Sequence, residues 1–152
     1  MTTPPARPSA IPADELAPFL GSALVARLAL LDDDGAPYVL PVWYEYDGQA
    51  FWILAQEHVR WIPFVKRDPR CALSVAEDVA PFRRVMAQGR LEIVEGPASA
   101  GRWPDLLRRN VLRYRGPEGL GYIDQSRHIR RYTLRLRPER MRTFRGFRAP
   151  ER

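Results

Sequence analysis

Apolar and polar residues change period several times along the chain, and each change marks an element. Asp14 to Leu20 reads as a short first helix closed by Gly21. Residues 23 to 31 then run apolar into Asp32-Asp33-Asp34-Gly35, and an Asp-Gly pair between apolar runs is a strong hairpin signal. Tyr38 to Tyr46 returns as the second strand, and Asp47-Gly48 turns into Gln49 to Ala55. A two-residue loop there sets Tyr44 opposite Phe51 and Trp43 opposite Trp52.

His58 to Arg67 is a short helix that stops at Asp68-Pro69, because the residue before a proline avoids helical backbone. Pro63 is tolerated only in a first turn, so this helix begins near Trp61 or Ile62 and leaves Arg60 at its N-terminal edge. Cys71 to Ala76 and Val85 to Val94 are two more strands, and Gly96-Pro97 ends the second. Trp103, Leu106, Leu107, Val111 and Leu112 fall at helical spacing within residues 103 to 114, and a short helical piece spans 117 to 126. Arg131 to Arg137 alternates strictly, Pro138-Glu139 turns, and Met141 to Phe144 closes the sheet. This order suits a mainly β (α+β) fold, a closed or nearly closed barrel with peripheral helices. The proline-rich residues 1 to 12 read as a flexible arm, 13 to 146 as the barrel domain and 147 to 152 as a flexible tail.

At 152 residues the chain is the size of one domain, and folding would bury roughly 70% of its unfolded surface. Its 45% hydrophobic and 28% charged residues are those of an ordinary globular protein. The apolar run Ala23 to Leu31 is interrupted by Arg27 and is too short to span a bilayer, so no membrane role is expected. The proline-rich opening lacks the layout of a signal peptide, and the lone Cys71 has no internal disulfide partner; both fit a cytoplasmic protein.

The net charge of +6 is unevenly spread. Residues 1 to 78 hold six basic and eleven acidic side chains, whereas residues 79 to 152 hold eighteen basic and seven acidic. Every basic residue except Lys66 is arginine, the better bidentate partner for phosphate and carboxylate. An anionic ligand and a merely solvated basic face both account for this. Nucleic acid is not expected as a partner, since no arginine-rich recognition helix is present.

Side chains that could carry chemistry unaided are scarce. His58 and His128 make no metal cluster, and the sequence has neither a Cys-x-x-Cys, a Gly-x-Ser-x-Gly nor a phosphate-binding glycine loop. Asp32-Asp33-Asp34 lacks the ligand spacing of a calcium loop and reads as turn chemistry, and Cys71 reads as a small core residue. What remains is the segment Ala55 to Trp61, where Arg60 beside a helix start is placed either to hold a phosphate or to lie in solvent.

A longer set of residues runs through Arg27-x-Ala29-x-Leu31, Asp34-Gly35-x-Pro37, Pro41-Val42-Trp43-Tyr44, Asp47-Gly48, Arg60 and Asp68-Pro69-Arg70-Cys71-Ala72-Leu73. It continues through Gly89 to Val94, Arg113 to Gly119 and Leu134 to Met141. In order and spacing this set resembles the pyridoxamine 5'-phosphate oxidase-like family of flavin-binding split β-barrels. The resemblance implies an FMN-binding split β-barrel, an oxidoreductase passing hydride or electrons to a small-molecule substrate, and a homodimer with the cofactor at its interface. It implies that Arg60 anchors the cofactor phosphate, with Trp61 standing where many members have a lysine. It also implies that Pro41, Val42 and Trp43, together with Leu54, Ala55 and Gln56, face the flavin ring by their backbone edges. Arg83, Arg84 and Gln88 would approach the cofactor from the partner subunit. Core packing is the competing reading for Trp43 and Trp52. The C-terminal arginine-bearing segment of the true pyridoxamine phosphate oxidases has no counterpart after Phe144. Two rival readings accompany FMN: the deazaflavin coenzyme F(420), and a non-enzymatic flavin- or haem-binding protein. Flavin chemistry requires no side-chain base, although Tyr44 or Tyr46 could donate a hydrogen bond to substrate.

Overall fold

The computed structural model of the protein describes residues 9–146. Residues 1 to 8 of the expected arm and the tail 147 to 152 lie outside them. Residues 9 to 12 are docked: Ile11 is buried and donates its N–H to Thr143 Oγ1 at 2.9 Å, and Arg145 N–H bonds Ser9 O at 2.7 Å.

Seven strands form one antiparallel sheet. In chain order they are β1 (Ala26–Leu31), β2 (Pro37–Val42), β3 (Glu45–Tyr46), β4 (Phe51–Gln56), β5 (Arg70–Ala76), β6 (Arg84–Ala98) and β7 (Arg131–Phe144). In space the order is β2-β1-β5-β6-β7-β4-β3. The two edge strands, β2 and β3, are consecutive in sequence and joined only by Trp43-Tyr44, a bridge of at most about 10 Å. The sheet must therefore curl until its edges approach without pairing, and this is the split of the barrel. Helix α1 (Ala13–Gly21) inserts Phe19 and Leu20, α2 (Ile62–Arg67) inserts Ile62, Phe64 and Val65, and the core also holds Leu28, Leu73, Leu134 and Leu136. Each such aliphatic side chain contributes roughly 1.5–3 kcal/mol by leaving water.

A second apolar layer lies on the outside of the barrel. Phe51, Ile53 and Ala55 of β4 face the core, so alternation turns Leu54 outward, where α3 (Trp103–Arg115) covers it with Trp103, Leu107 and Val111. A 3₁₀ turn (Pro117–Leu120) and α4 (Gly121–Gln125) extend this layer and add Leu120, Tyr122 and Ile123.

Four sequence expectations require correction. Tyr38 to Tyr46 is not one strand, because the chain leaves the sheet at Trp43-Tyr44 and crosses from one edge, β2, to the other, β3. The hairpin register is shifted: Tyr46 pairs with Phe51 and Glu45 with Trp52. The cause is Asp47, whose Oδ1 accepts from the N–H groups of Gln49 and Ala50, both at 2.8 Å, and so builds a four-residue turn. Pro138-Glu139 is not a turn, because β7 runs unbroken past it. Gln88 pairs with Arg140 and Gly89 with Pro138, leaving Glu139 as an inserted residue. That bulge tolerates a proline and switches the inward set from Leu134 and Leu136 to Met141. Gly96-Pro97 does not end β6, which continues to Ala98 through two register shifts.

Candidate functional site

A cleft of about 440 Å³ opens between β2, β4, the approach to α2 and the α3–α4 layer. Its walls follow from the split. Because β3 pairs with β4 only at Glu45 and Tyr46, the segment Ile53 to Gln56 has a neighbouring strand on the β7 side alone, and on its other side the Gln56 carbonyl accepts from the Val59 N–H at 3.2 Å. The outer edge of β2 is equally free of a neighbouring strand. Backbone around Pro41 to Trp43 and Leu54 to Gln56 thus borders the cleft uncommitted to a ladder, which for a partly sheltered peptide edge favours an external partner.

Trp43 is held by a parallel stack on Tyr114, with ring centroids 4.9 Å apart and 9° between planes. The Tyr114 hydroxyl donates to Leu24 O at 2.7 Å, and the Arg113 guanidinium packs on the rings of Tyr44 and Tyr114. Gln56 Nε2 donates to the Tyr122 hydroxyl at 3.4 Å, linking β4 to α4 at the side of the cleft. Arg131, only 2% exposed, is register partner to Gln56 and also lines the cleft. Its Nη1 donates to Ser126 O and Ile129 O, its Nη2 donates to Ser126 Oγ, and its guanidinium lies 4.6 Å from the Trp103 ring centroid.

Of the residues singled out from sequence, Pro41, Val42, Trp43, Leu54, Ala55, Gln56 and Trp61 come together around this cleft. Trp61 is buried and caps the start of α2. Arg60 is exposed beside it, between the cleft-lining Val59 and Trp61. Arg83, Arg84 and Gln88 lie elsewhere within the single chain. Arg83 is paired with Glu77 at 2.9 Å, and Arg84 packs on Phe144. Gln88 borders a second cleft, on the outer face of β1, β5, β6 and β7. Asn110, Arg115, Tyr122 and Arg131 line the first cleft and were not anticipated. Asn110 carried a visible signal, being a polar residue inside the apolar stripe Trp103-Leu107-Val111.

Tyr44 is unavailable as a donor to substrate, since it is fully buried and its hydroxyl bonds Leu20 O at 2.8 Å; Tyr46 bonds Gly48 O instead. Asp32 does turn chemistry, its Oδ1 accepting from the N–H groups of Asp34 and Ala36 at 2.9 Å each. Among the described residues no group of three His, Cys, Asp or Glu could hold a metal, and no helix is long and apolar enough to cross a membrane.

Burial, helped by the Glu139 carboxylate, pushes the Cys71 thiol up to about 12, and burial likewise raises the Tyr44 phenol. Both groups then keep protons that the unfolded chain sheds above about pH 8.5 and 10 respectively. Their contribution to stability is complete below pH 8.5 and is lost as the pH rises toward 12. The urea midpoint should fall steadily between pH 8.5 and 11. At pH 8 Cys71 should alkylate at least about tenfold more slowly in the native protein than in urea. Equal rates would mean the thiol is accessible.

The fold and its edge cleft define a split-barrel protein of the flavin-binding type. A family model described as pyridoxamine 5'-phosphate oxidase matches residues 12–145, and the chain belongs to that family. No curated protein matches the sequence. Among solved structures, a conserved hypothetical protein from Mycobacterium tuberculosis is 27% identical, with a TM-score of 0.70, over 93% of this chain and 89% of that one. An F(420) reductase is 23% identical at TM-score 0.64, over 82% of this chain and 93% of that one. A heme binding protein from Mycobacterium smegmatis is 22% identical at TM-score 0.63, over 95% of this chain and 57% of that one. The last two likenesses bear on the fold alone.

Proposed function

We propose that the protein is an FMN-dependent oxidoreductase whose cleft holds the flavin ring between the free backbone edges of β2 and β4. The observation that carries this reading is the pair of unpaired edges at Pro41 to Trp43 and Leu54 to Gln56, which offers peptide donors and acceptors to a flat heteroaromatic rim. The group fits: the volume is that of a small-molecule site, and the lining is largely apolar with a few polar side chains. Flavin, when bound, supplies the hydride or electron transfer. The chain's own residues orient and shelter it. Leu40, Val42, Val59 and Trp61 exclude water, while Trp43, fixed by Tyr114, forms a rigid side wall.

Arg60 is assigned the cofactor phosphate, because it is exposed next to the cleft at the approach to α2. Arg60→Ala should weaken FMN binding by about 1.5–3 kcal/mol without lowering the melting temperature, the usual worth of a hydrogen bond to a charged group. A fluorescence titration with unchanged affinity would put the anchor elsewhere.

The active form is proposed as a homodimer. The support is the second cleft, about 470 Å³, where exposed Val39 and Met86 lie among Arg27, Arg140, Arg142 and Gln88 on an open sheet face. An apolar patch of this kind favours a partner. Light scattering at micromolar concentration should give twice the chain mass, and FMN should raise the melting temperature if it binds the assembled state preferentially. A monomer with cofactor bound would exclude the dimer.

The deazaflavin coenzyme is the second reading, favoured by the arginines that line both clefts. Titration with each cofactor at low and high salt separates the two. Deazaflavin binding at least tenfold tighter than FMN at low salt, about 1.4 kcal/mol, would reverse the ranking. The haem reading has less support, since among the described residues no His, Met or Cys lines the first cleft and its one tyrosine hydroxyl, on Tyr122, accepts from Gln56 Nε2.

A further inference from the structure

The charge that lines the first cleft is all positive. Among the described residues no Asp or Glu lines it, and its charged residues are Arg115 and Arg131. Arg131 is buried with no carboxylate within ion-pairing distance among the described residues. Three of its five N–H donors are taken up by Ser126 and Ile129, which locks the guanidinium plane and leaves Nε–H and one Nη2–H unengaged by protein. Asn110, also 2% exposed, has its Oδ1 occupied by Arg113 Nη2 at 3.5 Å, while its Nδ2 meets no protein acceptor among the described residues. Arg115 reaches the same cleft from the end of α3, its guanidinium 6.0 Å from the Tyr122 ring centroid and in no ion pair among the described residues.

A buried cation is costly to keep without a counter-charge. That cost falls on the first cleft, where an oxyanion would supply the missing charge and could also accept from the Asn110 Nδ2 that no described residue engages. We infer that Arg131, Asn110 and Arg115 form an oxyanion subsite in the cleft, which takes a phosphate or carboxylate of the bound ligand. This rests on reading the cleft as the ligand site. The oxyanion is either the cofactor's own phosphate or an acid group on the substrate.

Two matched pairs of ligands test it: FMN against riboflavin, and benzoate against benzamide added to the FMN-loaded protein. Each is titrated into the wild type and into the double variant Asn110→Leu, Arg115→Gln. Asn110→Leu removes the donor at similar volume, and Arg115 is exposed, so Arg115→Gln alone carries the test if the double variant does not fold. The double variant should lose roughly ten- to a hundredfold of the preference for the anion in one pair, with affinity for its neutral twin within about threefold of wild type. Loss in the FMN–riboflavin pair assigns the subsite to the cofactor phosphate, and loss in the benzoate–benzamide pair assigns it to a substrate acid. Flavin binding with neither preference altered overturns the subsite and leaves the cleft reading standing. Failure of both flavins and of the deazaflavin coenzyme to bind the wild type overturns both.

Discussion

Trp103→Ala should be among the most damaging single substitutions outside the barrel core, lowering stability by about 3–5 kcal/mol. Trp103 is 2% exposed, so truncation opens a cavity that α3 cannot close without leaving the sheet. Its indole N–H donates to Ala98 O at 3.0 Å, and its ring lies against the Arg131 guanidinium. Removing the ring therefore strands a carbonyl and uncovers a buried cation as well as losing packing. For a chain of this size the loss corresponds to a fall of roughly 10 °C in melting temperature. Since the same helix supplies Leu107 and Asn110 to the cleft, flavin affinity should fall with it. Trp103→Phe keeps most of the apolar area and should cost less than half as much. The measurement is urea unfolding followed by circular dichroism. A loss below about 1 kcal/mol for Trp103→Ala would show that α3 is held by something other than this side chain.

Strands and helices were legible where one face meets the core and the other does not. Val85, Ala87 and Leu91 in β6 and Leu134 and Leu136 in β7 announce their strands by alternation, and Pro63 dates the start of α2 to within a residue. What was illegible depends on contacts that sequence spacing does not encode. Asp47-Gly48 resembles a two-residue turn, and only the bonds from Gln49 and Ala50 to the Asp47 carboxylate lengthen it. Pro138-Glu139 resembles a turn because a bulge and a turn use the same residues. The strand runs on because β6 pairs with both sides of it.

The cleft shows the same division. Its strand edges were readable because they follow the local order of the chain, in Pro41 to Trp43 and Leu54 to Gln56. Its other side is assembled from α3, α4 and the first residue of β7, and no local pattern brings Asn110, Tyr122 and Arg131 together. By alternation alone Arg131 falls on the same strand face as Thr133, Arg135 and Arg137. It is buried because α3 packs over that face of the sheet and Trp103 covers its guanidinium.

That face also sets the second large expected effect, at Gly96. Its backbone lies at φ +110°, and a Cβ there would sit 2.5 Å from Arg131 O and 2.8 Å from Tyr132 Cα. Both neighbours are main chain in β7, so no side-chain rotation relieves the contact, and β6 would have to separate from β7. Gly96→Ala should cost about 2–5 kcal/mol, combining the unfavourable φ with the forced displacement. The control is Gly35→Ala, also at positive φ (+76°) but with nothing within 4 Å of the added carbon. It carries the conformational cost alone and should lose no more than about 1–2 kcal/mol. The difference between the two variants in urea unfolding reports the close approach of β6 to Arg131 together with the less favourable φ of Gly96. Because that displacement moves the guanidinium lining the cleft, Gly96→Ala should weaken ligand binding at temperatures where it is still folded, and Gly35→Ala should leave it unchanged. Equal losses of stability in the two variants would mean that β6 does not pass this close to β7.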